Sequence, residues 1–330
     1  MARITVFGAG AAGTAHAIHL ARKGEDVSLW GSEYDARVLP EILGRRAHPA
    51  LPERIPSELR VLGPEELAEA AKDVEIAVLA ANSAGARSLG RMVAGSIPAD
   101  AVLVSVTKGL ERETRRRMTE VYGEEIPDHP VVAVGGPALA PELSEGFLTA
   151  VVFGCPEGDP CRRAAEAFRS DRYLVEVTDD VIGVEICATA KNVAAIGAGI
   201  LEGIAQSRQR DMKNARAALF AQAVGEIADL VQALGGRRET ALGRAGMGDL
   251  LVTSIGGRNR LYGEAIGLGG DPAGVLEDMK SRGMTVEGAE AVEDVHGLAE
   301  EHGLDLPVHG AVYRVVREGR PAETVLEAVR

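Results

Sequence analysis

Along the first half of the chain, short apolar runs alternate with segments whose apolar residues recur at helical spacing. ITVF, which ends at Gly8, and VSLW (27–30) are the first two runs. EIAVLAA (75–81), AVLVSV (101–106), PVVAVGG (130–136) and TAVVFG (149–154) follow. Runs of this length without polar alternation suit strands covered on both faces. Between them lie helical segments: one from about Gly13 to Lys23, stopped by Gly24, then GPEELAEAAK and ETRRRMTEVYG. Strand and helix in alternation predict an α/β domain with a mostly parallel, doubly wound sheet.

Past about residue 178 the pattern changes. VIGVEICATAKNVAAIGAGILEGI reads as one long helix and ARAALFAQAVGEIADLVQALG as another. Helical pieces follow around 239–252, 258–268, 288–302 and 308–329, with no strand-like run between them. Thr178–Asp180 carries an N-cap signal for the long helix. The expected organisation is residues 1–178 as a dinucleotide-binding, Rossmann-like domain and 179–330 as an all-helical substrate-binding domain. At 330 residues the chain is long enough for two cores.

Composition narrows the function classes. A net charge of −13 argues against nucleic acid or an anionic membrane surface as partner, because both select basic faces. It leaves room for a small anionic substrate held by a local cluster of Lys and Arg. No apolar run reaches the ~20 residues of a membrane span, and the N-terminus enters a strand at once, without a targeting pattern. Cys155, Cys161 and Cys187 are an odd number in a long chain, which suits a reducing cytoplasm. CPEGDPC could close a small loop, but no second ligand pair follows it, so no metal is expected. A helical second half with apolar faces could form a homodimer.

Gly8-Ala9-Gly10-Ala11-Ala12-Gly13 is a G-x-G-x-x-G pattern placed directly after a strand and opening a helix. In that context it is a specific signal for a dinucleotide. Gly8 permits the tight turn, Gly10 lets the backbone approach a pyrophosphate, and Gly13 lets helix pack on strand, with the helix N-terminus facing the phosphates. Glu33 lies twenty residues after Gly13, at the expected end of the second strand, where an acid holds ribose hydroxyls and favours NAD. Ser32 and the Arg45-Arg46 pair could instead accommodate a 2′-phosphate, so NAD and NADP both stay open. Ala81-Asn82-Ser83 and Gly135-Gly136-Pro137-Ala138 are the small, polar strand ends expected where loops cross a dinucleotide.

CATAKNVAAIGAGI (187–200) surrounds Lys191 and Asn192 with small apolar residues. A buried ammonium is costly unless paired, so this lysine asks for a reason. Three other segments interrupt apolar contexts in a similar way: Val106-Thr107-Lys108-Gly109, Gly246-Met247-Gly248-Asp249 and Gly256-Gly257-Arg258-Asn259. Each has a bland alternative. Lys191 could snorkel to solvent, Asp249 could be a helix N-cap, and Arg258 could be an ordinary exposed charge. His16, His19 and Trp30 are read as packing residues.

Taken together, GAGAAGTA at the start, VTKGL (106–110), GGPALAPEL (135–143), ATAKNVAAIGAGI (188–200), NARAAL (214–219), GMGDLLVTSIGGRN (246–259) and VEG (286–288) resemble the NAD(P)-dependent glycerol-3-phosphate dehydrogenase family. The resemblance spans essentially the whole chain. Its phosphate loop is the short GGRN type of archaeal and eukaryotic members, and Ala138 stands where many bacterial members have serine. The resemblance implies that Lys191 is the acid/base residue, with Lys108 and Asp249 beside it in the catalytic set. It places Lys108, Gly136, Asn192, Thr253, Arg258 and Asn259 around the glycerol phosphate. Gly8, Gly10, Ala11, Ala12, Gly13, Ser32, Glu33, Asn82, Lys108, Ala140, Arg258, Thr285 and Glu287 would then meet NAD or NADP. The implied activity is reversible hydride transfer between glycerol 3-phosphate and dihydroxyacetone phosphate, in the cytoplasm, supplying phospholipid synthesis.

The residue types suit that chemistry. Oxidising a secondary alcohol needs a base for its proton, and burial with a nearby cation brings a lysine towards neutral pKa. Lys108 is the expected cation, and Asp249 would orient the amine. Arg258 offers a fork to phosphate oxygens, and Asn259 adds an amide donor. Two rivals remain: a 3-hydroxyacid or 2-ketoacid reductase of the same architecture, and a dinucleotide-binding protein without turnover.

Overall fold

In the computed structural model, which describes residues 1–156 and 158–330, the chain divides into two units, Met1–Val181 and Ile182–Arg330. The strands of the first unit are β1 (Arg3–Phe7), β2 (Asp26–Trp30), β3 (Arg60–Leu62), β4 (Ile76–Leu79), β5 (Val102–Ser105), β6 (Val131–Gly135), β7 (Thr149–Gly154) and β8 (Tyr173–Thr178). They form one sheet in the order β3-β2-β1-β4-β5-β6-β7-β8. Every neighbouring pair is parallel except β6 and β7, which run antiparallel with Val134 opposite Phe153. Helices α1 (Ala11–Lys23), α2 (Leu39–Arg45), α3 (Leu67–Ala70), α4 (Ser83–Val93), α5 (Met118–Glu125), α6 (Ala140–Glu145) and α7 (Asp159–Phe168) connect the strands.

Successive side chains along the central strands enter opposite cores. Ile4, Val6, Ile76, Val78, Val102 and Val104 belong to one apolar layer, and Phe7, Ala77, Leu79 and Leu103 to the other. That is why these strands read as unbroken apolar runs. β3 and β8, which no apolar run announced, are the two edge strands. β3 has three residues, and β8 exposes Leu174, Glu176 and Val177, so neither needs an apolar residue at every position. Cys155 and Cys161 are joined as a disulfide, and Cys187 is a free, buried thiol.

The second unit is helical: α8 (Val181–Ser207), α9 (Lys213–Ala233), α10 (Arg238–Leu242), α11 (Asp249–Ile255), α12 (Arg258–Gly267), α13 (Pro272–Ser281), α14 (Glu287–Glu301), α15 (Pro307–Glu318) and α16 (Thr324–Glu327). Two expected helices are broken. The piece around 239–252 splits into α10, a π turn at Arg244–Gly248 and α11, because Gly246 lies so close to Ala241 that a Cβ would fall 2.1 Å from its carbonyl oxygen. The piece around 308–329 breaks at Gly319, which takes a left-handed conformation (φ 67°). The expectation that no apolar run is long enough for a membrane span is also corrected. α8 has the length and apolarity, but 83% of its most apolar stretch is buried inside the protein, as in a core helix.

α8 and α12 meet backbone to backbone. A Cβ on Gly199 would lie 2.1 Å from the Arg260 carbonyl oxygen, and one on Gly203 would lie 2.2 Å from that of Glu264. In return, Gly263 and Gly267 would meet the carbonyls of Ile196 and Ile200, each at 2.1 Å. Only glycine fits at such a crossing. It draws the helix that begins with Arg258-Asn259 against the helix that carries Lys191-Asn192.

Candidate active site

In the first unit the strand order reverses between β1 and β4, the switch point at which open α/β sheets bind ligands. Gly8 leaves β1 with φ 114°, and a Cβ there would sit 2.7 Å from the Ala80 carbonyl oxygen just past β4. A Cβ on Gly13 would be 2.2 Å from the Gly8 carbonyl oxygen, so only glycine lets α1 close down on the turn. Gly10 is different: nothing lies within 4 Å of the place its Cβ would take. It is the N-cap of α1, which has no side-chain cap and no acid in its first turn. Ala11, half-buried, and Ala12, exposed, supply first-turn N–H groups, which have no intrahelical acceptor. Open space, small residues and unanswered N–H groups fit a pyrophosphate.

Just past β2 the chain turns. The strand stops at Trp30, where the run VSLW ends, and Glu33, three residues on and exposed, opens a 3-10 turn. Ser32 is buried. Its hydroxyl accepts from Tyr34 N–H, while Asp35 reaches back to Ser32 N–H at 2.9 Å, a capping box that the sequence reading missed. Arg46 is committed to backbone carbonyls at Ile55, Pro56 and Leu59, and Arg45 pairs with Glu41. Neither arginine is held towards Ser32.

Asn82 caps α4, accepting from Gly85 N–H at 2.8 Å. Lys108 lies three residues beyond β5, and its Nζ donates to the Gly136 carbonyl at 3.2 Å. Gly136 has φ 108°, with Val151 and Ala150 backbone atoms where a Cβ would be. Ala138 and Ala140, both half-buried, precede and open α6. His16 packs inside α1, bonded to the Ala12 carbonyl and to Tyr173 Oη, and burial lowers its pKa to about 4.

The second unit answers the question of the buried lysine. Lys191 is only 5% exposed, and its Nζ donates to Asp249 Oδ1 and Thr253 Oγ1, each at 2.8 Å. The partners come from α11, not from the lysine's own helix. Thr253 donates its own proton to the Asp249 carbonyl at 2.6 Å, which turns its lone pairs to the ammonium. Asp249 is the first residue of α11 and is 1% exposed, so it is a buried partner and not a solvated cap. Snorkelling is excluded for Lys191.

Asn192 and Asn259, both buried, bind each other: Asn259 Nδ2 donates to Asn192 Oδ1 at 2.9 Å. Asn259 Oδ1 in turn accepts from Gly288 N–H, and Asn192 Nδ2 lies 3.3 Å from Glu287 Oε2. Arg258 begins α12, half its side chain exposed, with NH2 3.9 Å from Glu287 Oε1. Thr285 is exposed, two residues before α14. Hydrogen bonds and the Lys191-Asn192 step along α8 thus link Lys191, Asp249 and Thr253 to Asn192, Asn259 and Glu287, the last of which the resemblance had set beside the cofactor.

Sequence reasoning missed Glu226 and His309, both buried. His309 Nδ1 lies 2.7 Å from Glu226 Oε2, and its Nε2 lies 3.3 Å from the Ala190 carbonyl oxygen, one residue before Lys191. No spacing links positions 83 residues apart. The only hints were a carboxylate inside the apolar run AQAVGEIADLV and a histidine just past Pro307.

The switch-point seat for a dinucleotide, with the family and relatives that the whole chain matches, defines a dinucleotide-dependent dehydrogenase. Residues 3–160 match the N-terminal and residues 180–327 the C-terminal part of the NAD-dependent glycerol-3-phosphate dehydrogenases, and the chain belongs to that family. It is 32% identical to an NADP(+)-dependent glycerol-3-phosphate dehydrogenase of Archaeoglobus fulgidus, across 98% of this chain and 97% of that one. A glycerol-3-phosphate dehydrogenase [NAD(P)+] of Koribacter versatilis is 37% identical, across 99% and 96%. The crystal structure of glycerol-3-phosphate dehydrogenase from Coxiella burnetii superposes with a TM-score of 0.89 at 31% identity, covering 99% of this chain and 98% of that one. A ketopantoate reductase from Ralstonia eutropha shares the fold at a TM-score of 0.61 and 17% identity. The cofactor is NAD or NADP.

Proposed function

We propose that the protein interconverts glycerol 3-phosphate and dihydroxyacetone phosphate, with Lys191 as the acid/base. One observation carries the reading: an ammonium almost sealed from water, held by Asp249 and Thr253 at 2.8 Å each. Burying that charge is costly even when it is paired, and apolar residues would fill the site more cheaply. The chemistry gives it a use.

Bound NAD(P)H supplies the hydride, and the oxidised cofactor accepts it in the other direction. In reduction, Lys191 Nζ hydrogen-bonds the ketone oxygen, polarises the carbonyl and delivers a proton to the forming alkoxide. In oxidation, the neutral amine takes the C2 hydroxyl proton. Asp249 and Thr253 fix the direction of Nζ. Lys108, with Gly136, completes the substrate and cofactor contacts of the first unit. Gly8, Gly10, Ala11, Ala12 and Gly13 hold the pyrophosphate, with Ser32, Glu33, Asn82 and Ala140 along the rest of the dinucleotide.

The phosphate falls to Arg258, at the start of α12, where helix N–H groups and a guanidinium act together. Asn192 and Asn259 line the same site, and Glu287 with Thr285 serves the cofactor from the helical unit. We assign the reaction to the cytoplasm, with its product feeding phospholipid synthesis. A homodimer formed through the helical unit belongs to the same reading, supported by the exposed side chains of Ile255, Leu261 and Leu268.

The test is NADH and NADPH oxidation with dihydroxyacetone phosphate, ketopantoate or tartronate semialdehyde. Turnover with the phosphorylated ketone alone supports the proposal. Preference for either carboxylate substrate would move the protein to the reductase class, and cofactor binding without turnover on any ketone would make it a non-catalytic binder.

A further inference from the structure

Glu226 is a buried carboxylate of the second unit with four hydrogen bonds, and the chemistry above does not use it. From α9 it accepts the N–H groups of Val308 at 2.8 Å and His309 at 3.1 Å, which are first-turn donors of α15. It also accepts from Gln222 Nε2 at 3.0 Å and from His309 Nδ1 at 2.7 Å. Burial alone would push its carboxyl up, yet the hydrogen bond and charge of His309, with the helix N–H groups, hold it below its ordinary value.

His309 passes the connection on. Each of its ring nitrogens faces an oxygen, the Glu226 carboxylate at 2.7 Å on one side and the Ala190 carbonyl at 3.3 Å on the other. Ala190 precedes Lys191 in α8. The helix is therefore held at two adjacent residues by two different neighbours. α15 holds residue 190 through His309, and α11 holds residue 191 through Asp249 and Thr253.

We propose that Glu226 and His309 are positioning residues for Lys191: the carboxylate sets the imidazole, and the imidazole fixes the rotation of α8 that aims the amine. The inference rests on Lys191 being the acid/base. A displacement of about 1 Å at such a group costs on the order of 100-fold in rate, so a second anchor one residue away has kinetic consequences.

Two near-isosteric substitutions separate the two ring nitrogens. The amide nitrogen introduced by His309→Gln falls near the place of Nε2 and keeps a donor to Ala190. That of His309→Asn falls near Nδ1 and keeps a donor to Glu226 only. The experiment measures kcat and KM for dihydroxyacetone phosphate, the equilibrium Kd of NADH and Tm for both variants, with Lys191→Met alongside.

The expected result is a kcat about 10- to 100-fold lower in His309→Asn, with KM and Kd within about 3-fold of the parent, and recovery of kcat to within about 3-fold in His309→Gln. The proposal is overturned if both variants turn over like the parent, or if both lose Tm equally and kcat falls equally, which a purely structural pair would give. If either variant fails to fold, Glu226→Gln supplies the comparison: its kcat must fall while its KM holds. Full turnover in Lys191→Met would sink the acid/base assignment on which this inference rests, whatever His309 does. An inactive Lys191→Met beside an unaffected His309→Asn would sink only this inference.

Discussion

Lys191 Nζ and Asp249 Oδ1 stand 2.8 Å apart, with side chains 6% and 2% exposed. A pair so enclosed is energetically asymmetric: removing one partner strands the other charge, whereas removing both can cost little. Asp249→Leu should therefore lose about 3–5 kcal/mol of stability, and Asp249→Leu combined with Lys191→Met should recover most of it. Urea unfolding of the single and double variants is the check. A single variant within about 1 kcal/mol of the parent would mean that water reaches the ammonium after all.

The three glycines of the first turn do different jobs, and alanine separates them. Gly13→Ala drives a Cβ to 2.2 Å from the Gly8 carbonyl oxygen, so it should lower Tm by several degrees at least. Gly10→Ala meets nothing within 4 Å, so Tm should hold. Its methyl would instead occupy the space assigned to the pyrophosphate, raising the Kd of NADH about 10-fold or more. Calorimetry and fluorescence titration read the two effects independently. Equal behaviour of the two variants would refute the division of labour.

The α8–α12 crossing should be equally intolerant. Gly199→Ala places a methyl 2.1 Å from the Arg260 carbonyl oxygen, and forcing the helices apart should cost about 1–3 kcal/mol or more. Because α12 begins with Arg258 and Asn259, KM for dihydroxyacetone phosphate should rise with it. Gly225→Ala, in α9 with open space around it, should stabilise by about 0.5–1 kcal/mol. A Gly199→Ala variant with parental Tm and KM would contradict the packing argument.

Acid should weaken the first unit through His16. Its ordinary pKa of 6.5 is lowered to about 4, chiefly by burial, with the Ala12 carbonyl opposing and His19 and Lys108 adding repulsion. Above pH 6.5 it is neutral in both folded and unfolded chains. Between 6.5 and 4 the unfolded chain takes up a proton that the folded chain refuses, so stability falls as pH falls, by about 3 kcal/mol over the window. Urea midpoints at pH 7 and pH 5 should differ less in His16→Phe than in the parent. An unchanged slope would show that other groups carry the acid response.

Much of this was legible in the sequence because local rules and global fold agree there. ITVF-GAGAAG is a strand, a turn and a helix by apolar run, glycine spacing and small residues, and nothing distant overrides it. Lys191 announced itself by being out of place. Its partner did not, because Asp249 comes from another helix, and only the order of motifs suggested they would meet. Edge strands β3 and β8 escaped notice since half-exposed strands need no apolar run. The π turn before Asp249 depends on a contact between Gly246 and Ala241 that no periodicity encodes. The capping box that Ser32 and Asp35 form just past β2 depends on a side chain reaching back three residues, which no apolar pattern announces. Glu226 and His309 were invisible for the plainest reason: each looks like an isolated polar residue until the chain folds.

The most direct measurement is single-turnover oxidation of NADH by dihydroxyacetone phosphate in Lys191→Met, with cofactor binding measured on the same sample. The account predicts that NADH binds within about 3-fold of the parent while the hydride-transfer rate falls by about 100-fold or more. A variant that binds NADH and transfers hydride at the parental rate would contradict it.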